Sequence, residues 1–247
     1  MPDRKPAARN VVLVHGAWAD ASSWSEVIER LQKDGFKVTA VQMPLDSLPD
    51  DISRVRRVLS MQDGPTIVVG HSFGGAVITG LGADAPNLVG LVFIAAFAPD
   101  RGDTMKALLS GNPQPPGASA ARPDSSGYVW LDTEGVVKYF AQDLHREKAL
   151  VIAAVQKPIA ASEVFSETPF GDPAWKFVPS WYQVSEQDMM IPPDAERFMA
   201  SRAKAVTTSV KSSHVAMISH PKETTELIER AARDAPNLAM ARANLSS

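Results

Sequence analysis

The feature that most constrains this chain is the segment Gly-His-Ser-Phe-Gly-Gly at residues 70–75. An apolar, β-branched run at 66–69 precedes it, and a helix-forming segment at 76–81 follows it. A buried strand therefore passes into a helix through a tight turn, and Gly70 and Gly74 flank Ser72 where any side chain would collide. In this context G-x-S-x-G is typical of a nucleophile elbow, which exposes the serine hydroxyl at the turn.

Two other interpretations of this segment are weaker. G-x-S-x-G is short enough to occur by chance in glycine-rich loops, but the strand before it and the helix after it favour a catalytic serine. A phosphate-binding loop also joins a strand to a helix, yet no lysine follows these glycines and G-x-G-x-x-G is absent. We therefore predict that Ser72 is a nucleophile. The backbone N–H of Phe73, at the helix start, is predicted to help bind an oxyanion.

Length and composition disfavour several classes of function. A chain of 247 residues suits one large domain, and 25 Lys and Arg against 28 Asp and Glu give a net charge of −3. This balance provides no electrostatic attraction for nucleic acid or an anionic membrane. Cysteine is absent, which fits a reducing cytoplasm, and neither a signal peptide nor a membrane-spanning stretch is apparent. We expect a soluble, cytoplasmic protein, and nothing in the sequence indicates its oligomeric state.

Strands and helices alternate along most of the chain. Apolar, β-branched runs at 11–14, 37–41, 66–69 and 88–96 predict four strands. Of the helices between them, the first is predicted to be capped by Ser22 or Ser23 and the second to contain residues 53–59. Later segments predict strands at 178–184 and 205–210, and helices that begin at 193 and 221. This alternation predicts a doubly wound α/β fold, a mostly parallel sheet with right-handed crossovers.

The alternation is interrupted between residues 101 and 175. This segment contains a proline-rich stretch at 111–127, which we expect to be a mobile loop, and helical patterns such as 147–156. We interpret it as a helical cap inserted into a core formed by residues 1–100 and 176–247. Open α/β sheets bind ligands at the carboxyl ends of their strands, which such a cap would cover. The alternative is an irregular connection with no role in binding.

A serine hydroxyl needs a base that accepts its proton, and the chain has five histidines. His214 is favoured because it follows the strand at 205–210, at the sheet edge where Ser72 lies, and because the serine precedes the histidine in the chain. The other four are expected to have different roles: His71 projects to the other side of the turn, His15 braces the first loop, His145 lies on a solvated helix face and His220 precedes a helix.

An orienting carboxylate is expected at the end of the preceding strand. Asp188 follows the strand at 178–184; Glu186 is its nearest rival, and Asp194 lies too far into the next helix. A second oxyanion donor is expected from the loop after the first strand, where the N–H of Ala17 is the candidate. This serine chemistry calls for no cofactor and no metal ion.

Together these residues resemble the α/β-hydrolase superfamily, and in particular its small capped branch. That branch includes plant methylesterases such as methyl salicylate esterase, hydroxynitrile lyases and many bacterial esterases. The resemblance covers nearly the whole chain. It implies an α/β-hydrolase fold of about six strands, with Ser72, Asp188 and His214 as the triad. The landmarks are Val-His-Gly-Ala at 14–17, Trp24, residues 70–75, Ala-Ala-Phe-Ala-Pro at 95–99, Asp188 before Ile191-Pro192, and His214 before Ser-His-Pro at 219–221.

The residue after the catalytic histidine separates two reactions in this branch. Hydroxynitrile lyases of this type carry a lysine there, whose charge stabilises the departing cyanide, whereas this chain has Val215. The resemblance therefore implies ester hydrolysis through an acyl-enzyme, with a carbon-carbon lyase as the alternative. A non-catalytic receptor for small ligands is a second alternative, because a fold does not fix a function.

The substrate pocket is predicted to be apolar, with few polar groups. Its candidate lining residues come from loops at the sheet edge (Trp18, Phe73, Phe97, Met189) and from the cap (Trp130, Tyr139, Phe140). Aromatic and methionine side chains also fill ordinary cores, so packing alone is the competing role for each of them. Such a pocket fits small, mainly apolar esters, with lactones as further candidates.

Overall fold

The computed structural model describes residues 8–110 and 114–244. The strands in this part of the chain are β1 (Asn10–Val14), β2 (Lys37–Val41), β3 (Thr66–His71), β4 (Leu88–Ile94), β5 (Ala121–Pro123), β6 (Tyr128–Leu131), β7 (Ile159–Ala160), β8 (Ser180–Ser185) and β9 (Val206–Val210). The helices are α1 (Ser25–Lys33), α2 (Leu48–Ser60), α3 (Phe73–Thr79), α4 (Met105–Leu109), α5 (Thr133–Gly135), α6 (Arg146–Val155), α7 (Ala161–Val164), α8 (Pro193–Arg202), α9 (Ala216–Ser219) and α10 (Pro221–Asn244).

Six strands form one parallel sheet in the order β2-β1-β3-β4-β8-β9. The chain moves outward from β1 to β2, returns to β3 on the other side of β1, and then continues in one direction to β9. Every residue of β1 and β3 is buried. The carboxyl ends of all six strands lie at one edge of the sheet, where such folds bind their ligands. This confirms the predicted doubly wound α/β sheet and its six strands.

Both faces of the sheet are covered, because successive side chains of a strand point to opposite faces. On β1, Val12 and Val14 pack in a cluster with residues of α2, α3 and α8, whereas Val11 and Leu13 pack with residues of α1 and α10. The near-continuous apolar runs of the sequence follow from this double burial. No helix within the described residues is long and apolar enough to span a bilayer.

The start of the first helical region differs from the prediction. Asp20, not Ser22 or Ser23, occupies the capping position, and its carboxylate accepts a hydrogen bond from the N–H of Ser22 at 2.7 Å. A single 3₁₀ turn, Ala21–Trp24, then leads into α1. The prediction was wrong because the carboxylate of Asp20, two residues before Ser22 and three before Ser23, is an equally good cap.

The segment between β4 and β8 contains a second, antiparallel sheet of three strands, β5-β6-β7, beside the short helices α4 to α7. The proline-rich stretch at 111–127 is therefore not irregular throughout. It includes a 3₁₀ turn, Pro116–Ala120, and the strand β5, while residues 111–113 lie outside the described part of the chain. Strands this short show too little alternation of apolar and polar residues to be distinguished from the helical patterns nearby.

Candidate active site

Ser72 lies between the last residue of β3 and the first residue of α3, with φ of +52° and ψ of −121°. L-residues rarely adopt this backbone conformation, so the surrounding structure must hold it. A Cβ atom on Gly70 would lie 2.6 Å from the carbonyl oxygen of Gly74, and one on Gly74 would lie 2.6 Å from that of His15. Glycine at both positions therefore allows the close approach that forms the strained turn.

Two backbone amides beside Ser72 remain available to a ligand. The Ser72 carbonyl accepts hydrogen bonds from the N–H groups of Gly75 (2.9 Å) and Phe97 (3.1 Å), which fix the turn. The N–H groups of Ala17 and Phe73 donate to no acceptor within residues 8–110 and 114–244, and both residues line the same cavity as Ser72. They have the arrangement expected of donors to an oxyanion.

His214 and Asp188 form a buried pair. The Nδ1 atom of His214 lies 2.6 Å from Oδ2 of Asp188, and neither side chain is exposed. Oδ1 of Asp188 accepts from the N–H groups of Met190 (2.6 Å) and Ile191 (2.9 Å), so the carboxylate has a fixed orientation. Because a carboxylate only accepts, Nδ1 carries the proton in this pair.

In the neutral imidazole of His214 the other ring nitrogen is then an acceptor, and it is free. Nε2 is buried and has no hydrogen-bond partner in the described part of the chain. His214 and Ser72 line one cavity. An unprotonated imidazole nitrogen beside that cavity is suited to take a proton from a hydroxyl group.

The two rival carboxylates are directed elsewhere. Glu186 pairs with Arg197, which lowers the pKa of the Glu186 carboxyl group. Asp194 is 97% exposed and lies 2.8 Å from the same guanidinium group. Of the three carboxylates considered from the sequence, Asp188 is the one that the structure brings to His214.

His15 braces two loops at the sheet edge. Its Nε2 atom accepts a hydrogen bond from the N–H of Met43 at 3.0 Å, and Nδ1 donates to the carbonyl oxygen of Gly16 at 2.9 Å. Burial lowers the pKa of His15 to about 4, so the ring is neutral near neutral pH. It fixes the loop that carries Ala17, as the sequence predicted.

His71 supports the backbone of the His214 loop, a role that sequence analysis missed. Its Nε2 atom donates to the carbonyl oxygen of His214 at 2.8 Å, and the two rings are 4.8 Å apart. Burial, followed by the nearby His214, holds the pKa of His71 well below its usual range. Its position beside Ser72 was the only available signal, because the contact joins residues 143 positions apart.

The remaining histidines lie outside this group. His145 is exposed at the start of α6. His220 lies within hydrogen-bonding distance of the Ser219 hydroxyl and 4.0 Å from Asp143. Asp143, which sequence analysis did not consider, also accepts a hydrogen bond from the N–H of Ser213 at 2.9 Å. It thereby joins the inserted segment to the loop that carries His214.

The cavity above Ser72 has a volume of about 250 Å³. Trp18, Phe73 and Phe97 line it. Its other apolar lining comes largely from the inserted segment, including Met105, Leu109, Val129, Leu131, Ile159 and Phe165. Lys106 lies at the cavity and pairs with the exposed Glu167. Within the described residues, no group of His, Asp or Glu side chains is arranged to hold a metal ion.

Four predicted lining residues are not among those that line this cavity. Trp130 points outward, where its indole N–H donates to Asp124, because it alternates along β6 with the inward-facing Val129 and Leu131. Met190 lines the cavity in place of Met189, whose carbonyl oxygen accepts from the N–H of Gly117.

The third is Tyr139, which is only partly buried and has the ammonium group of Lys138 5.0 Å from its ring centre. The fourth is its neighbour Phe140, which is fully buried and whose ring centroid lies 5.2 Å from that of His214. Phe140 therefore packs against the candidate base instead of lining the cavity. Assigning the face of each of these residues required the tertiary structure, since the pattern of a short segment does not fix its orientation.

Comparisons with known proteins place these features in context. The model of the alpha/beta hydrolase family matches residues 11–227. The carbendazim hydrolyzing esterase of Nocardioides sp. (strain SG-4G) is 37% identical over 114 residues, which is 40% of this chain and 47% of that esterase. Methylesterase 3 of Arabidopsis thaliana is 27% identical over 262 residues, covering 89% of this chain and 94% of that protein. The crystal structure of a pyrethroid hydrolase from Sphingobium faniae JZ-2 aligns with a TM-score of 0.76 and 21% identity, over 93% of this chain and 99% of that one.

Proposed function

The chain belongs to the alpha/beta hydrolase family, and on that premise we propose that it is a serine esterase for small, mainly apolar carboxylic esters. The observation that carries the proposal is the state of His214. Its Nδ1 atom is held by Asp188, while Nε2 is buried and free beside the cavity that Ser72 lines. A base with one nitrogen oriented and the other unoccupied is what an activated serine requires.

In the proposed reaction, the Ser72 oxygen attacks the ester carbonyl carbon while His214 takes the hydroxyl proton. The N–H groups of Ala17 and Phe73 stabilise the oxyanion of the tetrahedral intermediate. Collapse of the intermediate breaks the bond to the alkoxy oxygen, which leaves as the alcohol with the proton from His214. Water, deprotonated by His214, then attacks the acyl-enzyme and releases the acid and Ser72.

The substrate class follows from the size and chemistry of the cavity. A space of about 250 Å³ with a mostly apolar lining accommodates a small acyl group and a small alcohol group. We also propose that residues 101–175 act as a cap, because they supply much of that lining. Lactones belong in the first substrate panel. Carbendazim and simple methyl esters join that panel, because two relatives are a carbendazim hydrolyzing esterase and a methylesterase.

The carbon-carbon lyase is the weaker candidate. The residue after His214, Val215, is fully buried and apolar, so it supplies no charge that would stabilise a departing cyanide ion. Cleavage of a cyanohydrin, with no hydrolysis of any ester, would favour the lyase. A receptor function would be favoured by tight binding of a small apolar ligand without turnover.

The test of the proposal is Ser72→Ala, assayed with p-nitrophenyl acetate. We expect a loss of turnover of about three orders of magnitude or more, because the nucleophile is missing. Circular dichroism checks that the variant is folded, and a fluorophosphonate probe followed by mass spectrometry should label Ser72 in the unaltered protein. Activity in the variant equal to that of the unaltered protein would exclude this mechanism.

A further inference from the structure

A second carboxyl group lies behind Asp188. Glu196, in the first turn of α8, is fully buried. Its Oε2 atom accepts a hydrogen bond from the N–H of Ser185, the last residue of β8, at 3.1 Å. Its Oε1 atom is buried and has no donor as a hydrogen-bond partner within the described residues. The carboxyl groups of Glu196 and Asp188 are within hydrogen-bonding reach of each other.

Within the part of the chain that the structure describes, no Lys or Arg side chain forms an ion pair with either of these two carboxyl groups. Arg197 follows Glu196 in the chain, but its guanidinium group is partly exposed and pairs with Glu186 and Asp194. The other titratable groups that face the pair are the imidazole of His214 and the hydroxyl group of Tyr182, and burial raises the pKa of Tyr182 well above its usual range. Two adjacent buried carboxylates repel each other strongly, so one of them retains a proton.

Hydrogen bonding decides which carboxyl group retains the proton. Asp188 accepts from two backbone N–H groups and from His214, and all three contacts favour its charged form. Glu196 accepts from a single N–H group. Burial, and then the negative charge of Asp188, raise the pKa of Glu196 well above its usual range. The proton therefore resides on Glu196.

We propose that Glu196 is a positioning residue of the triad, whose protonated carboxyl group donates a hydrogen bond to the Asp188 carboxylate. This inference rests on the proposed esterase function. The hydrogen bond restrains Asp188 beside His214 and withdraws negative charge from it. A less basic Asp188 stabilises the imidazolium form of His214 less, which favours the neutral base.

Three variants separate this role from simple packing. Glu196→Gln keeps both contacts of a protonated carboxyl group, because its oxygen accepts from Ser185 and its NH₂ group donates to Asp188. The pKa of His214 should then stay where the unaltered protein has it. Glu196→Met fills the space without a donor, and should raise the pKa of His214 by about 0.5–1 unit. Asp194→Asn removes an exposed carboxylate of the same helix and should cause no shift.

The pKa of His214 is measured by NMR titration of histidine-labelled protein, with the signal assigned from His214→Asn. The acid limb of the kcat/KM profile gives a parallel reading. An infrared difference spectrum of the unaltered protein minus Glu196→Gln, taken near neutral pH, should show the carbonyl stretch of a protonated carboxyl group. This reading remains valid if Glu196→Met does not fold.

Two results would overturn the inference. One is a carboxylate band in place of the protonated carboxyl band. The other is a fall in the pKa of His214 in Glu196→Gln, which would mean that a negative charge had been removed. Neither the NMR nor the infrared measurement requires turnover. Full activity of Ser72→Ala would refute the proposed esterase mechanism. That result is therefore distinguishable from a failure of the inference about Glu196.

Discussion

Ser72 and Asp188 each depend on backbone contacts that neighbouring residues supply. The left-handed conformation of Ser72 persists because the Gly75 and Phe97 amides hold its carbonyl oxygen. Asp188 receives two amides on one oxygen, which leaves the other for His214. The chemical identity of these two residues therefore does not by itself form the candidate site, because the hydrogen bonds around each group set its orientation.

Asp188→Asn tests that orientation. The two amides at Oδ1 favour the carboxamide oxygen there, so the NH₂ group would face Nδ1 of His214. A donor at that place stabilises the wrong imidazole tautomer, with the proton on Nε2. We expect kcat for an ester substrate to fall by about three to four orders of magnitude, as measured by steady-state kinetics.

The matched control is Glu186→Gln, which alters a partly exposed carboxyl group two residues away that pairs with Arg197. It should change kcat less than about threefold, because surface ion pairs contribute little. If this variant lost activity and Asp188→Asn did not, the choice of carboxylate would be wrong.

At the scale of elements, the inserted segment and the loop after β1 are joined at Trp18. The N–H of Trp18 donates to the carbonyl oxygen of Lys157 at 3.0 Å, and its indole N–H donates to that of Val129 at 2.9 Å. Trp18 adjoins Ala17, a proposed oxyanion donor. These two hydrogen bonds therefore link the position of β6 to that of the loop that carries Ala17. Alternate side chains of β6 also line the cavity.

This alternation predicts different effects for neighbouring residues of β6. Leu131→Ala enlarges the cavity, so we expect kcat/KM for a bulky acyl ester, relative to acetate, to rise by roughly tenfold, the scale of one or two methylene groups in an apolar pocket. Trp130→Ala changes the outward face and should leave this ratio unchanged. Both are measured with a p-nitrophenyl ester series.

Leu131→Ala is also expected to cost about 2–5 kcal/mol of stability, as core truncations do, so thermal denaturation of both variants is the control. A shifted ratio in Trp130→Ala alone would mean that the two faces of β6 are assigned the wrong way round.

At the scale of the whole molecule, buried ionisable groups make stability depend on pH in opposite directions. Burial raises the pKa of Asp51 from 3.8 to about 7, and its carboxylate accepts from the N–H of Leu45 at 3.2 Å. The unfolded chain releases this proton near pH 4, whereas the folded chain keeps it up to about pH 7. The free energy of unfolding therefore falls as pH rises through that interval. The lowered pKa of His15 has the opposite effect: it makes the free energy of unfolding rise as pH rises from about 4 to 6.5.

Asp51→Asn isolates this contribution. The carboxamide keeps the acceptor for Leu45 and cannot ionise, so the variant should gain stability relative to the unaltered protein as pH rises from about 4 to about 7, by at most about 1.4 kcal/mol per pH unit. Above that interval the difference should be constant. Urea denaturation at a series of pH values measures it, with Asp50→Asn, an exposed neighbour, as the control. A difference that does not vary with pH would show that Asp51 is ionised in the folded state at all of these values.

The local sequence determined the central elements of this protein. Long apolar runs and the glycines around Ser72 predicted the six-stranded sheet and its sharp turn, because burial on both faces and a strained φ leave few alternatives. Chain order at the strand ends also selected Asp188 and His214 as candidates. The residues that surround Asp188 and His214 could be identified from the tertiary structure alone. The contacts of His71 and of β6 join segments distant in the chain, and short segments carry no pattern that specifies which partner they will meet. Glu196 meets Ser185, 11 positions earlier, because α8 packs against β8.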